Sequence, residues 1–500
     1  MRTLAVVVGV LLWSCRGRRE ERLDLHSGYP APIARLLVQR CGGCHGSKAV
    51  SASHAHGDYP SPSLNLSRWD SLFYGPSREL APVVPGQPRW SALLWHLNTD
   101  STWGPVAAPL MPPPLPDSSN RLSRAELELL RQWIAEGALN YLGESPWRHR
   151  RASSRRKVFI CAAASDLIAV YDADTYHLMA YIPVGIHPTL IESPHYIQIS
   201  PDGRYLYVTL IAGAAVEVYR TDTYEKVGRL EVAPEPAHIE LSGDGTHAVI
   251  THFTDGGSVK LTLIQTSPLA ILDELRDPLH QIIARPHGLW VAPDFSHAYV
   301  TANRGNYIVR LTIGPDRRRF IDFVQIPLQT GALPQPDVRW GPYQILMEPS
   351  QRYYFISCEV SHEVRVFSRA NDSLVAVIPT GEAPKLMAYH EGLVYVACLK
   401  AYAPGLQGER RGAVAVIEVE RLKLLTHIYN LGHLPRGIGI DPVKRQLWVS
   451  FENIGAVDPP HHPVGGSSEL SKVYILQLPT FQLLAVRAFA SGGYGLNIVP

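Results

Sequence analysis

"IQISPDGRYLYVTL", residues 197–210, reads as strand, turn, strand: an apolar run, then Pro201, Asp202 and Gly203, then a β-rich hexapeptide. The hexapeptide "YLYVTL" at 205 has six counterparts: "KVFICA" at 157, "HAVITH" at 247, "HAYVTA" at 297, "YYFISC" at 353, "LVYVAC" at 393 and "QLWVSF" at 446. Their starts lie 48, 42, 50, 56, 40 and 53 residues apart. Each of the last six follows an apolar strand and a turn, as in "IELSGDGT", "LWVAPDFS" and "IGIDPVKR", and two more strands follow in each unit, as in "VEVYRTDTYEKVGRLEV".

Four strands per repeat of 40 to 56 residues is the unit of a β-propeller, one blade each. The first unit begins at "KVFICA" without an inner strand, and the chain finishes on "YGLNIVP", an inner strand without a unit after it. The reading is therefore seven blades, with the C-terminal strand completing blade one. With strands A to D named outward from the axis, the A-to-B and C-to-D turns are short. The B-to-C and D-to-A connections on the other face carry "KAYAPGLQGERR", "ENIGAVDPPHHPVGGSSEL" and "QTGALPQPDVRWG", and long loops on one end of a rigid scaffold are where binding usually sits. Residues 158–500 resemble the YVTN-type bacterial propellers.

The same face collects histidines and cations. Aligned positions at the start of strand A read His195, Ala237, His287, Tyr343, Lys385, Arg436 and Tyr494, with His238 one step deeper; at the exit of strand B, His252 shares its position with Cys358 and Cys398. His195, His238, His252, His287, Lys385 and Arg436 form a candidate site for an anion, a metal or a second cofactor. The alternative is that such residues hydrogen-bond loop carbonyls.

The region before the repeats differs. Arg2 precedes an apolar run, Leu4 to Trp13, too short for a spanning helix and suited to a secretory signal. "LLWSC" followed by "RGRREER" resembles a bacterial lipoprotein signal, with residues 1–15 as signal and Cys15 as the lipidated residue. A conventionally cleaved signal is the rival, and a retained anchor or a wrong start codon is the remaining alternative. The signal readings place the protein in the bacterial cell envelope, periplasmic or on the outer surface, and the lipoprotein reading attaches it to the membrane through Cys15. A chain of 500 residues with 46% hydrophobic and 18% charged residues predicts two or three globular domains, and a net charge of +2 with no sustained basic face argues against nucleic acid as a partner.

"QRCGGCHGSK", residues 39–48, carries two thiols two residues apart with a histidine directly behind. Covalent attachment of a c-type haem needs that set: Cys41 and Cys44 for the two vinyl groups and His45 for the iron. A zinc site would need two further ligands, and no second CxxC or Cys-His pair stands nearby. Met111 in "APLMPPPLP" is the sole methionine of this region after Met1, which makes it the expected opposite axial ligand; His54, His56 and His96, or an open position, are the rivals. "PIARLLVQRC" places Ile33, Leu36 and Leu37 on one helical side, and "LSRAELELLRQWIAEGA" opens with a capping box, Ser123 and Glu126, and stops at Gly137.

Residues 38–138, with "CGGCHG", "PSLNLS", "VVPGQPRWSALLWHL" and "LMPP", resemble the planctomycete-type cytochrome c domain. That resemblance implies a small all-α domain, taken as 25–140, with one covalent haem c held by Cys41, Cys44, His45 and Met111. The Trp- and Pro-rich "NTDSTWGPVAAPL" before Met111 departs from the family pattern. The arginine-rich stretch 141–157 reads as a linker between this domain and the propeller at 158–500. Two function classes follow: an exported haem-c electron-transfer protein with a redox partner protein, or an oxidoreductase using the histidine face, similar in layout to the cytochrome cd-type nitrite reductases. A surface-binding or scaffold protein is a third.

Overall fold

The computed structural model describes residues 27–45, 64–74, 80–108, 110–112, 121–146, 156–187, 190–402, 410–429, 431–452 and 470–499. Cys15, His54, His56 and the Cys44 side chain lie outside the described residues. The chain divides into two compact units, residues 1–155 with 174–181, and residues 156–173 with 182–500.

The N-terminal unit is helical. Ala31–Ala34, Arg35–Gln39 with π-type turns and Arg40–His45 follow one another without a break. Trp69–Tyr74, Ala92–Leu97 and Arg124–Ala135 complete the set of α-helices among the described residues. Arg124–Ala135 begins as the sequence predicts: Ser123 Oγ accepts from Glu126 N at 3.3 Å, and Glu126 Oε2 accepts from Ser123 N at 2.8 Å. Ile33, Leu36 and Leu37 are buried with Leu130, Trp133, Ile134 and Trp69 in one core. Tyr29 packs edge-on to Trp133, with ring centres 5.9 Å apart. No described helix is long and apolar enough to cross a membrane.

Seven four-stranded antiparallel sheets form the propeller, and all but blade one run A to D in chain order. In blade one the inner strand is Gly493–Val499, paired with Lys157–Ala162 and then Leu167–Asp172 and Leu178–Pro183. The register runs Lys157 opposite Val499 and Ile160 opposite Leu496, so the C-terminal strand closes the ring as expected. The remaining A strands are Pro194–Ile199, Pro236–Leu241, Pro286–Val291, Pro342–Met347, Glu382–His390 and Pro435–Asp441. Strands B are buried along nearly their whole length, as in "KVFICA" and "QLWVSF", because both faces meet neighbouring blades.

One device recurs at the inner end of every blade. The residue before each A strand's first proline or glycine has a positive φ: Ser193, Glu235, Arg285, Gly341, Ala383, Leu434 and Gly492. Its carbonyl accepts the N–H of the residue just past strand B in six blades, for example Phe253 N to Glu235 O at 2.8 Å and Glu359 N to Gly341 O at 2.8 Å. A shift of register follows at once in each A strand, as between Pro194 and Tyr196 or Pro435 and Ile438. Such a bulge orphans one backbone N–H and re-aims the side chains beside it. In five blades a hydroxyl in the fifth place of the repeated hexapeptide repairs the loss. Thr209, Thr251, Thr301, Ser357 and Ser450 accept the orphan N–H and donate to a carbonyl of the next blade, at Ala237, His287, Tyr343, Lys385 and Tyr494. The inner strands press so close that a Cβ on Gly437 would stand 2.1 Å from Tyr494 O.

Candidate functional site

Two clusters match the residues singled out in the sequence. In the helical unit, Cys41 and His45 stand on the helix Arg40–His45. Cys41 and Met111 are both partly buried against the same apolar core. The backbone fixes the approaches: Met111 N donates to His96 O at 2.7 Å, and Leu66 N donates to His45 O at 2.6 Å. His96 therefore holds the methionine loop through its carbonyl. The Trp- and Pro-rich loop is ordered by Asn98, whose Nδ2 donates to Asp100 O, Gly104 O and Pro105 O, and Ala107 N donates to Trp95 O at 2.9 Å. A cavity of about 720 Å³ opens beside it, lined by Leu94, Trp95, Trp103, Leu127, Arg89 and Arg131 among others. Leu94 and Leu127 also pack on the core that Cys41 and Met111 touch. Arg40, next to Cys41, pairs with Glu126 at 2.7 Å and ties the thiol-bearing helix to the last one.

The second cluster lies on the propeller axis. The bulges aim the first-aligned side chains of the A strands at one another, and these side chains are 0–3% exposed. In ring order, Arg436 stands 5.3 Å over Tyr494, and Tyr494 lies 4.2 Å from His195. His195 is 5.7 Å from His287 across the small Ala237, His287 is 3.9 Å from Tyr343, and Lys385 Nζ is 4.2 Å from the Tyr343 ring. The hydroxyls of Tyr343 and Tyr494 hydrogen-bond across the ring. His238 lies beside it, stacked on Tyr196 at 4.1 Å and 4.6 Å from His287.

Charges here are matched. Lys385 pairs with Glu359, which also accepts from Asn303 Nδ2 at 2.9 Å, and Arg436 Nε lies 3.1 Å from Glu452 Oε1. Burial pushes Lys385 down against the pull of Glu359, and pushes Glu452 up against the pull of Arg436. It also holds His195 at about 3 and His238 well below the usual imidazole range, so both rings are neutral. The Nδ1 atoms of His195 and His287 donate to Ala237 O and Tyr343 O, each at 3.0 Å.

His195, His238, His287, Lys385 and Arg436 are thus brought together, and His252 is turned into its own blade. Its Nδ1 donates to Pro234 O at 3.1 Å, and its Nε2 accepts from Thr262 Oγ1 at 2.8 Å. Cys358 and Cys398 are buried in apolar clusters. Sequence reading missed Glu359 and Glu452. Both stand one residue past the aligned hexapeptides, in the column Ala163, Ile211, Phe253, Asn303, Glu359, Leu399 and Glu452, so extending the alignment by one place would have shown them.

No curated protein matches the sequence. Among solved structures, a protein of unknown function from Desulfotomaculum acetoxidans superposes with a TM-score of 0.52 at 13% identity, over 68% of this chain and 98% of that one. The periplasmic gluconolactonase PpgL of Pseudomonas aeruginosa superposes with a TM-score of 0.50 at 14% identity, over 69% and 99%. These likenesses show the fold. The family model for the seven-bladed β-propeller lactonases matches residues 186–458, more than half of the sequence, and the chain belongs to that family.

Proposed function

We propose that the chain is an exported haem-c electron-transfer protein whose propeller supplies a partner- or ligand-binding face. One observation carries this reading: Cys41 on the helix that also bears His45, and Met111 on its loop, are packed against one apolar core. Cys41 and Cys44 would hold the group by thioether bonds, and His45 and Met111 would bind its iron. Bound there, haem c supplies one-electron transfer. The chain's residues do the rest. Leu94 and Leu127 pack on the same apolar core as Cys41 and Met111, and the His96 carbonyl holds the Met111 backbone. The planctomycete-type cytochrome c reading of the helical unit and the YVTN-type reading of the blades belong to this proposal, as do export and lipidation at Cys15.

The test is a pyridine haemochrome spectrum of protein made with a haem-attachment system. One covalent haem per chain is expected, and Met111→Ala should abolish the weak near-infrared sulfur-to-iron band while haem stays attached. A chain without covalent haem, or an unchanged band, would sink the respective half of the reading.

A second reading, an oxidoreductase acting on the propeller axis, is favoured by the density of buried titratable groups there. Hydrolysis of a lactone, which the family's name denotes, would draw on the same axis, where Lys385 and Arg436 are already matched by Glu359 and Glu452.

A further inference from the structure

Three imidazoles, of His195, His238 and His287, meet at the propeller axis with ring centres 4.6 to 5.9 Å apart. With Nδ1 donating to a carbonyl of the next blade, His195 and His287 each carry the ring's lone pair on Nε2, and an Nδ1–H···O=C bond that fixes tautomer and orientation is the usual support of a metal-ligating histidine. His238 is 1% exposed, and among the described residues neither of its ring nitrogens makes a hydrogen bond. A buried imidazole left in that state is expensive. Ring centres lie 5.9 Å apart for His195 and His238, 5.7 Å for His195 and His287, and 4.6 Å for His238 and His287. Three imidazoles bound at about 2.0 Å around one ion would have centres about 5.1 to 5.5 Å apart, a range these separations bracket.

We infer that His195, His238 and His287 form a binding site for one transition-metal ion of the imidazole-preferring class, with cuprous copper as the ion that fits best. As the fold holds them, no three His, Cys, Asp or Glu side chains among the described residues already close on one point. Closure asks for a turn of His238, which is held by stacking on Tyr196 rather than by hydrogen bonds. The choice of ion follows from charge. The triad contains no thiolate or carboxylate, and the nearby cations are cancelled by Glu359 and Glu452. The ion's charge therefore stays uncompensated in a buried site, and because desolvation scales with the square of charge, a monovalent ion meets about a quarter of the penalty of a divalent one. Imidazole nitrogen suits copper as well as zinc. Two immobilised histidines and one adjustable one also make a site that can take up and release its ion.

This inference rests on the part of the proposed function that gives the propeller a ligand, and is independent of the haem. The test is an anaerobic titration of the full chain with cuprous ion against bicinchoninate, with total copper and zinc counted by mass spectrometry and haem counted separately as the pyridine haemochrome. One cuprous ion per chain beyond the haem iron is expected. His238→Gln and His287→Gln should each weaken binding at least about tenfold, whereas His433→Gln, at an exposed site, should leave it unchanged. X-ray absorption of the copper-loaded wild type should show nitrogen neighbours with an imidazole signature, a readout that does not depend on the variants folding. The inference is overturned if the wild type takes no copper from the chelator, if it binds zinc but not cuprous ion, if both histidine variants keep wild-type affinity, or if the absorption shows sulfur ligands. Haem without copper would overturn this inference alone; copper without haem would overturn only the electron-transfer reading.

Discussion

Single buried histidines of the propeller set a pH limit. Burial holds His195 at about 3 and His252 at about 4, both below the 6.5 of an open chain. The unfolded state therefore takes up these protons first, so their contribution to stability is full above pH 6.5 and falls away as pH drops toward 4. At pH 4.5 both are neutral in the fold and charged in the open chain, a loss on the order of 5 kcal/mol relative to pH 7.5. Urea midpoints at the two pH values check this, and equal midpoints would refute it. Thr301 makes a second case. It accepts from Gly288 N at 2.7 Å and donates to Tyr343 O at 3.2 Å, so Thr301→Val strands a buried N–H and should cost about 1–3 kcal/mol. Thr301→Ser, which keeps the hydroxyl, should cost less in the same urea titration.

At the level of elements, the A strand of blade one is the one whose loss is felt everywhere. Gly493–Val499 covers the buried Lys157–Ala162 and brings Tyr494 to the axis. A chain truncated after Ser491 should lose its cooperative unfolding transition, and retention of a wild-type melting curve would contradict the closure described here. That closure was legible, because an apolar run with no unit of its own can be counted. The seven blades were legible for the same reason: strand B is buried on both faces and must repeat its apolar pattern. The bulges, the positive φ values and the hydroxyl girdle were not. The first two are relations between strands A and B of one blade and the girdle is a relation between two blades, and "VTL", "ITH" and "ISC" look alike to periodicity whether or not their fifth residue bridges. The axis residues were legible as a column, and their mutual contacts were not: a column of His, Tyr, Lys and Arg on seven strands says nothing of how deeply the side chains are buried or that Glu359 and Glu452 neutralise the cations. In the helical unit, the capping box at Ser123 and Glu126 followed from local rules and is present as expected.

The whole molecule joins a helical unit with a thiol, imidazole and thioether set to a propeller with a packed polar axis. The proposed export supplies a simple check on both. If Cys15 is lipidated, Cys15→Ser should move the protein from the membrane fraction to the soluble envelope fraction without changing its haem content. A variant that stays with membranes would argue for another means of attachment. The closing strand also bears on time rather than equilibrium. Lys157 sits opposite Val499, so the seam of the ring joins distant parts of the chain. Loop length adds only logarithmically to the cost of such a pairing, but contacts this remote slow folding. The seam should form last, and once formed it should be a latch, with its opening rate setting how long the molecule survives proteases.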